Sequence, residues 1–512
     1  MCCVYFATFS QINNTMYYMD RLPQANYINP AQVPQCKFFL SGLLIPLVGQ
    51  LPPPVAFAVN TPIDYNDIFF PGRWEYKDSL ITPIHPNANL NDFLKKLHPV
   101  NYTTFDFHLN LLYFGFKQGE KNFWTFDISE KTYMHFGLPE NLIKFVLMGN
   151  EGVRNADFTG LHTNLFYYHQ VSIGFKRQIS RYFNVGTKLK LLTGVANMYS
   201  SSSSLIFNTT TKANHLSLLS NYKIHTTVPI EVTLNDEGFI ETVDFMDFGN
   251  ISTSKLIMDY ALFTGNTGFA LDLGFSKEWN SELTYFVSVE DLGYIRWKNN
   301  THTLSLINDE QSNNEGFIYR GMQVTVEEIV FPTIDSIIEA YDFNYSQEAY
   351  NTPLPWKIYG GLQYKLTSKL FAGGVLRFEK LPHRLRTSFT TTLNYRPGKI
   401  SHFTLSYSHI NGNFNNIGFG YSWNLGPFQW YLITDNLIGL GIFPDNSRSA
   451  AIRMGSNFII GYKDKKTQRA LPLFNANSGT QKKSYKKSNI GAAKYGIPQK
   501  AKKGSAVSAP QD

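Results

Sequence analysis

Charged side chains inside otherwise alternating apolar segments are the residues of this sequence best suited to chemistry. Their spacing puts them on the face opposite the aromatic residues, so they should point into an enclosed interior or lie at its rim. Charge facing lipid at mid-depth costs roughly 2–4 kcal/mol for Lys or Arg, which favours the same orientation. The candidate lumen residues are Asp106, His108, Lys188, Lys190, Asp272, Glu290, Arg296, Lys357, Lys365, Arg377 and Arg453, with Asn110, Lys176, Gln363 and Asn457 beside them.

Two roles suit a set that contains both signs of charge. It predicts either an interior network of salt bridges that fills and shapes the protein, or a polar route with a binding site above it. Catalysis is not indicated, because the sequence lacks G-x-S-x-G, H-E-x-x-H, phosphate-loop and paired-cysteine metal motifs. The 12 histidines are scattered without i, i+4 pairing on a helix. The sequence therefore predicts no enzyme activity, no cofactor and no metal site.

The elements that must position these residues are β-strands, most clearly between Trp356 and Tyr462. In Ile417–Trp423 every second residue is large and apolar, and Gly or Ser stands between. Side chains change faces with period two only in a strand. The connectors Arg396-Pro-Gly398, Asn411-Gly412 and Gly426-Pro427 are turn sequences, so consecutive strands should pair as hairpins.

Two architectures use such strands: a sandwich with its apolar face in a core, and a membrane barrel with that face toward lipid. The strands are about 9–13 residues long, close to the length that a tilted membrane strand needs. The polar face is Gly, Ser, Thr and Asn rather than Lys and Glu, and aromatic residues, 15% of the chain, gather near strand ends. These features favour an all-β fold: a single transmembrane antiparallel barrel of about 14 strands, with both termini on the periplasmic side.

Several segments are expected to depart from this pattern. A first strand runs through Lys37–Val48 and stops at Pro52–Pro54, and 203–210 and 214–224 are weak strands. Short helices are predicted at Asn89–Leu97 and Leu142–Met148. Residues 298–352 lack alternation and are predicted to form the longest loop, with a helix near Val324–Ala340 that Pro332 breaks or kinks.

The two ends of the chain differ from the barrel, which is expected over residues 13–463. Residues 1–12 are interpreted either as a signal peptide truncated by a misplaced start or as a disordered apolar N-terminus. From Lys463 onward there are 12 Lys/Arg and 2 Asp/Glu, so the net charge of +7 comes from the tail. Residues 464–512 should be disordered and periplasmic, either in diffuse contact with anionic headgroups or cell wall, or as a solvated end. Nucleic acid is not an expected partner.

Asp20-Arg21, Pro23-Gln24 and Asn29-Pro30-Ala31 precede the first strand, and Val289–Trp297 forms a later strand end. These segments resemble an uncharacterised outer-membrane barrel family of Bacteroidetes, a domain of unknown function, over roughly residues 15–463. More distantly, the Asn-Pro-Ala start is similar to the long-chain fatty-acid transporter superfamily, which includes the type IX secretion shuttle barrel. The resemblance implies a 14-stranded barrel in the outer membrane of a Gram-negative bacterium. It also implies an N-terminal plug containing Asp20, Arg21, Asn29, Pro30 and Ala31.

Three hypotheses of function follow. The first is an outer-membrane barrel that binds or transports a small hydrophobic molecule. The resemblance implies that transport would pass through a kink or lateral gap beside the Asn29-Pro30-Ala31 plug. The second is a non-conducting scaffold whose loops hold a periplasmic or secretion-system protein. The third is a soluble all-β binding protein. Outer-membrane lipid is an expected partner under the first two.

Overall fold

The chain folds into one closed β-barrel, described here from a computed structural model. The structure describes residues 13–462 except 47–51, 73–76, 86–87, 153–154, 210–215, 229, 235–239, 246–264, 315–322, 325–328, 331–343, 382–383, 411–412, 438 and 440–446. The chain divides into two units, Met1–Gln468 and Arg469–Asp512. The expectations for residues 1–12 and for the basic tail 464–512 lie outside the described residues.

Fourteen strands form the barrel wall, all paired antiparallel. Strand β1 pairs with both β2 and β14, which closes the sheet and confirms the predicted fold class. The strands are β1 (Phe38–Ser41 and Val55–Asn60), β2 (Val100–Gln118), β3 (Asn122–Pro139), β4 (His162–Ser180), β5 (Phe183–Thr209), β6 (Leu216–Thr227 and Thr267–Glu278), β7 (Leu283–Trp297 and His302–Asn314), β8 (Asn344–Ser346, Tyr350–Pro353 and Lys357–Lys365), β9 (Leu370–Leu381), β10 (Arg384–Tyr395), β11 (Ser401–Ile410), β12 (Asn413–Leu425), β13 (Phe428–Thr434) and β14 (Ser449–Ile460).

The two ends of the barrel carry different connections. At the end that holds Phe38 and Ile460, the turns are short, and Gly119 and Gly426 supply the positive φ that tight turns need. The opposite end carries the long connections. These include the α-helices α1 (Tyr65–Ile68), α2 (Leu90–Leu94) and α3 (Glu140–Gly152). Short periplasmic turns and long extracellular loops are typical of outer-membrane barrels.

The outer face of the wall is apolar. Leu191 is 70% exposed, Leu189 64% and Phe269 54%, whereas their neighbours in sequence point inward. On β10 the alternation is strict, with Phe389 and Leu393 outside and Ser388, Thr390, Thr392 and Asn394 buried. The interior thus holds the polar residues, as a barrel in lipid requires. This arrangement excludes the alternative of a soluble sandwich with an aromatic core. Among the described residues, no helix combines the length and the apolar character needed to cross a membrane.

Some predicted boundaries were wrong. β1 leaves the sheet after Ser41, and Pro52–Pro54 do not end it, because the strand resumes at Val55. The weak segment 203–210 is the upper part of β5, which runs for 27 residues. The predicted loop 298–352 contains the second segment of β7 and parts of β8. Within the predicted helix Val324–Ala340, Gln323–Val324 instead pairs with Ile329–Val330 in a short hairpin, and the remainder lies outside the described residues.

One loop at the long-connection end is held by an ionic cluster. Asp64 caps α1 by accepting from the Asp67 N–H, and the Asp67 carboxylate receives the Lys96 ammonium and one arm of Arg448. Burial opposes ionisation of Asp67, but the Lys96 hydrogen bond, the Asp64 backbone N–H and the Arg448 charge together keep the pKa of Asp67 below its ordinary value. The loop that covers this rim therefore depends on an ionised Asp67.

Candidate functional site: the plug, the ion layer and a break in the wall

Residues 13–36 run inside the barrel as a plug. The segment contains two 3-10 helices, Thr15–Tyr18 and Pro23–Tyr27, and Pro23 suits the first position of the second because its fixed φ is helical. Met16, Tyr17 and Tyr18 are 0–1% exposed and pack with Phe286, Tyr359 and Val375 of the wall. The plug supplies the apolar core that the polar inner wall lacks.

Hydrogen bonds tie the plug to strands on several sides of the barrel. The Tyr18 hydroxyl contacts the carbonyls of Leu362 on β8 (2.8 Å) and Gly374 on β9 (2.5 Å). Gln24 and Asn457 on β14 exchange two side-chain bonds of 2.8 and 3.1 Å. The Tyr27 hydroxyl donates to Asp127 on β3 at 3.1 Å. These bonds make the plug an integral part of the wall.

The Asn29-Pro30-Ala31 motif forms a turn against two wall glycines. Asn29 Oδ1 accepts from the Ala31 N–H at 2.9 Å. A Cβ atom on Gly186 would lie 2.2 Å from the Pro30 backbone, and one on Gly274 would lie 2.2 Å from Asn29 Oδ1. Only glycine leaves space for the turn here, so the motif fixes how closely the plug approaches β5 and β6.

Asp20 and Arg21 bind the turn between β10 and β11. Asp20 receives Arg396 at 2.8 Å, and Arg21 Nη1 donates to the Gly398 carbonyl at 2.6 Å. The two residues thus clamp the plug to a turn at the end of the barrel that holds Phe38 and Ile460. They form a structural clamp rather than a paired chemical site.

A layer of buried ion pairs lies on the inner wall. Lys190 bonds Asp272 at 2.7 Å and Asp291 at 2.6 Å, with its side chain 2% exposed. Lys357 lies 3.4 Å from Asp291 and 3.8 Å from Glu290. Four of these five residues were candidate lumen residues in the sequence, and the structure brings them together. Asp291 was missed.

Two further groups continue this layer. Glu379 receives Arg377 at 3.1 Å and Arg386 at 3.2 Å, and all three side chains are at most 6% exposed. Lys188 Nζ lies 4.8 Å from the centre of the Tyr27 ring, and His108 packs on the same ring at 5.0 Å. Arg453 lies 5.8 Å from it. Tyr27 of the plug therefore sits among three basic side chains of the wall.

The remaining candidate residues have separate positions. Asp106 is half-buried on the inner face of β2, and Lys365 is half-buried at the end of β8, on the inner side of the rim. The prediction for Arg296 was wrong: its side chain is exposed, while Ile295 and Trp297 beside it are fully buried.

A β-bulge causes this error. Glu290 and Asp291 together oppose Asp272 on β6, and Asp291 has a positive φ of 60°. The extra residue exchanges the faces of β7 beyond it, so Glu290 points inward and Arg296 outward. The missed residues Glu379 and Arg386 could have been predicted from the alternation. Glu379 lies two positions after the inward residue Arg377, and Arg386 lies two positions before the inward residue Ser388.

The wall is interrupted where β13 ends early. β13 pairs with Phe419–Leu425 of β12 and with Arg453–Phe458 of β14. In the part of the chain that the structure describes, Asn413–Gly418 of β12 and Ser449–Ile452 of β14 pair only with β11 and β1.

The chain turns inward at this break and holds the start of the plug. Asp435 follows β13 directly, is 4% exposed, and accepts from the backbone N–H groups of Asn13 (2.8 Å) and Thr15 (2.7 Å). The Thr15 hydroxyl also bonds the Ser406 hydroxyl on β11 at 2.7 Å. The break in the wall and the beginning of the plug are therefore one structural unit.

A small cavity of about 10 Å³ lies in this unit, with room for about one water. Its lining joins apolar side chains to one acid and one base. The lining residues are Asn13, Met16, Ile433, Asp435, Ala451, Ile452 and Arg453. The cavity lies between the plug and the interrupted part of the wall.

Fold and site together define a plugged 14-stranded transmembrane β-barrel. The chain belongs to the Family of unknown function (DUF5723), whose family model matches residues 30–435. This confirms the predicted membership of a family without assigned activity, and a Bacteroidetes origin stays a prediction. No curated protein matches the chain.

Solved barrels match the chain weakly along most of its length. The Pseudomonas putida toluene transporter TodX shares 9% identity, over 88% of this chain and 93% of that one, with a TM-score of 0.35. A Pseudomonas aeruginosa FadL homologue shares 8% identity, over 89% and 97%, with a TM-score of 0.40. The translocator domain of autotransporter NalP from Neisseria meningitidis shares 8%, over 82% and 88%, with a TM-score of 0.28. Likeness at this level carries no information on substrate.

Proposed function

We propose that the protein is a non-enzymatic barrel of the Gram-negative outer membrane that binds small hydrophobic molecules and passes them through the break in its wall at β13. The observation that carries this proposal is the junction where the plug meets the break in the pairing of β13. Met16, Ile433 and Ile452 give this junction apolar walls, with Asp435 and Arg453 beside them. The cavity present there holds about one water, so a hydrophobic molecule would enter only after the first plug residues move.

The buried plug and the ion layer of the inner wall support a sideways route. Plug residues Met16 to Met19 are at most 1% exposed, and the ion layer of Lys190, Asp272 and Asp291 occupies the inner wall. A hydrophobic molecule would have to separate these buried charges to travel along the axis, at a high desolvation cost. The break beside Ile433 needs only a shift of the first plug residues.

A disulfide lock on the plug tests the proposal. Thr15 and Ser406 have hydroxyl oxygens 2.7 Å apart, so thiols in their places lie within bonding reach. In a chain whose native cysteines are replaced by serine, T15C/S406C should support uptake of a labelled fatty acid into proteoliposomes when reduced. Oxidation should lower the rate at least tenfold, and a reductant should restore it.

The matched control locks two wall strands and leaves the plug free. Thr390 and Ser408, on β10 and β11, have hydroxyl oxygens 2.8 Å apart and are both buried. Oxidised T390C/S408C should keep the full uptake rate. Equal uptake by the locked and unlocked plug, or uptake no faster than in empty liposomes, would contradict a lateral route that opens at the plug.

A second candidate function is a non-conducting scaffold for a protein partner. It is favoured by the length of β5. The C-terminal part of this strand, from Asn197 to Thr209, pairs with Leu216–Thr227 of β6 at the end of the barrel with long connections. The second segment of β7, His302–Asn314, extends this sheet at the end with long connections. The strands Ile230–Leu234 and Ile240–Phe245 pair antiparallel within the connection between the two segments of β6. Stable co-purification of one protein in mild detergent, lost when residues 230–245 are replaced by a short turn, would favour the scaffold. An unchanged set of bound proteins would count against it.

A further inference from the structure

An acid–base pair faces outward from the barrel wall between β3 and β4. Glu130 and His169 are direct partners across the two strands, and His169 Nδ1 lies 2.5 Å from Glu130 Oε2. The Tyr167 hydroxyl also bonds the Glu130 carboxylate, and its ring meets the His169 ring edge-on at 5.9 Å. The neighbouring residues Ser129 and Gln170 are buried on the inner face.

The pair lies within the apolar outer band rather than at its edge. On one side are Ile128 and Val171, followed by Phe126 and Ile173, all on outward positions of the same two strands. On the other side, beyond Tyr167, Met134 and Leu165 face outward as direct partners. Hydrocarbon-facing side chains therefore flank Glu130 and His169 both above and below.

A polar pair in this position carries a cost that a lipid neighbour cannot offset. Hydrocarbon offers no hydrogen bonds, so ionisable groups on a lipid face are destabilising near the midplane and are usually functional. The two side chains are still 16 and 17% exposed. A protein surface that presents an acid and a base of its own would lower this cost.

We propose that the outer face of β3 and β4 around Glu130 and His169 is the contact surface for a second copy of this chain. Two barrels inserted in the same orientation can be related by a two-fold axis along the membrane normal. With the axis between β3 and β4, strand β3 of one copy faces β4 of the other copy. Each Glu130 then lies opposite the other copy's His169, so that an acid meets a base on both sides of the axis.

Aliphatic side chains beside the pair complete the contact. Val171 pairs with Leu191, and Ile173 with Leu189, across β4 and β5. These residues are 37–70% exposed and form a patch without aromatic rings. Across the axis, Val171 and Ile173 on β4 face the outward β3 residues Ile128 and Phe126 of the other copy, and the Glu130–His169 pair fixes the register.

Cysteine cross-linking in bilayers tests the contact directly. In the chain whose native cysteines are replaced by serine, V171C lies next to the expected axis and should form a disulfide-linked dimer on mild oxidation. L405C is the matched control, since Leu405 is an outward, 50% exposed residue on β11, seven strands from β4. Cross-linking at Leu405 equal to that at Val171, or none at either site, would overturn the proposal.

Exchanging Glu130 and His169 tests whether the pair contacts a second copy or only stabilises the single barrel. H169E places like charges across the axis and should weaken dimerisation about tenfold or more, measured by mass in nanodiscs or detergent. The double variant E130H/H169E restores an acid opposite a base and should recover the dimer. Heat-modifiable migration on gels shows whether each variant is folded. A folded H169E protein as dimeric as wild type, or an E130H/H169E protein as monomeric as H169E, would contradict the proposal.

Discussion

Replacement of Lys190 by Met is a direct test of the buried ion layer. The Lys190 ammonium bonds Asp272 Oδ1 at 2.7 Å and Asp291 Oδ1 at 2.6 Å, with the carboxylate side chains 1 and 6% exposed. Methionine keeps most of the length and volume of the lysine stem, so K190M removes the charge with little change in packing. The change in the free energy of unfolding then reports the cost of leaving the Asp272 and Asp291 carboxylates buried without the cation that they share.

The size of the effect follows from the neighbours of each carboxylate. Asp291 keeps Lys131 at 3.8 Å and Lys357 at 3.4 Å. Among the described residues Asp272 has Lys190 as its only salt-bridge partner, so the loss falls mainly on Asp272. Breaking a buried ion pair from one side costs about 3–5 kcal/mol. K190M should lower the free energy of unfolding by this amount, and K190M/D272N should recover all but about 1–2 kcal/mol of it.

Urea unfolding of the barrel in lipid vesicles, followed by tryptophan fluorescence, measures both variants. K144M is the control, because Lys144 pairs with Glu140 on α3 with side chains 31 and 25% exposed. An ion pair at i, i+4 on a helix contributes about 0.3–0.5 kcal/mol. A K190M protein within about 1 kcal/mol of wild type would refute the reasoning, as would a double variant no more stable than K190M.

Two further predictions concern the plug and the rim. Gly186→Val places side-chain atoms against the Pro30 backbone, where a Cβ alone would lie 2.2 Å away, so it should destabilise the barrel by about 1–3 kcal/mol and speed protease cleavage of the plug. Gly360→Ala, which meets nothing within 4 Å, should stay within about 0.5 kcal/mol of wild type. Because the pKa of Asp67 is lowered, its bond with Lys96 stabilises the loop above the ordinary Asp range and is lost as pH falls through the lowered pKa. Limited proteolysis with an acid-stable protease, from pH 7 to well below the ordinary Asp range, should show the loop opening in wild type, and in D67N the loop should be open throughout.

Local patterns in the sequence were sufficient for the barrel itself. These patterns are the alternation in Ile417–Trp423 and the turn sequences near Gly398 and Gly426. They depend only on residues close together in the chain, so they can be recognised without knowledge of the fold. They predicted the fold class and 14 to 16 strands, with 14 preferred, and the barrel has 14. The same rule identified Lys190, Asp272 and Lys357 as inward residues, because charge avoids the lipid face.

Bulges and chain breaks limited the prediction of individual residues. After the bulge at Glu290–Asp291, the residues of β7 that would have pointed inward point outward, and those that would have pointed outward point inward. No residue type at that position predicts a bulge. Arg296 was therefore assigned to the lumen, and Asp291 was overlooked. The sequence also did not predict that β13 ends after Thr434. Asp435 has no local pattern that distinguishes it from a loop residue, and its role depends on the backbone N–H groups of Asn13 and Thr15, which are far away in the chain.

The sequence by itself determined which faces of the strands meet lipid and which meet the interior, because a period of two is a local property. Only the tertiary structure decided which interior groups meet. Lys190 lies next to Asp272 and Asp291, and Tyr27 next to Lys188, through closure of residues far apart in the chain. The outward pairing of Glu130 with His169 depends on the register of β3 against β4, which the sum of many cross-strand contacts sets and no single segment encodes.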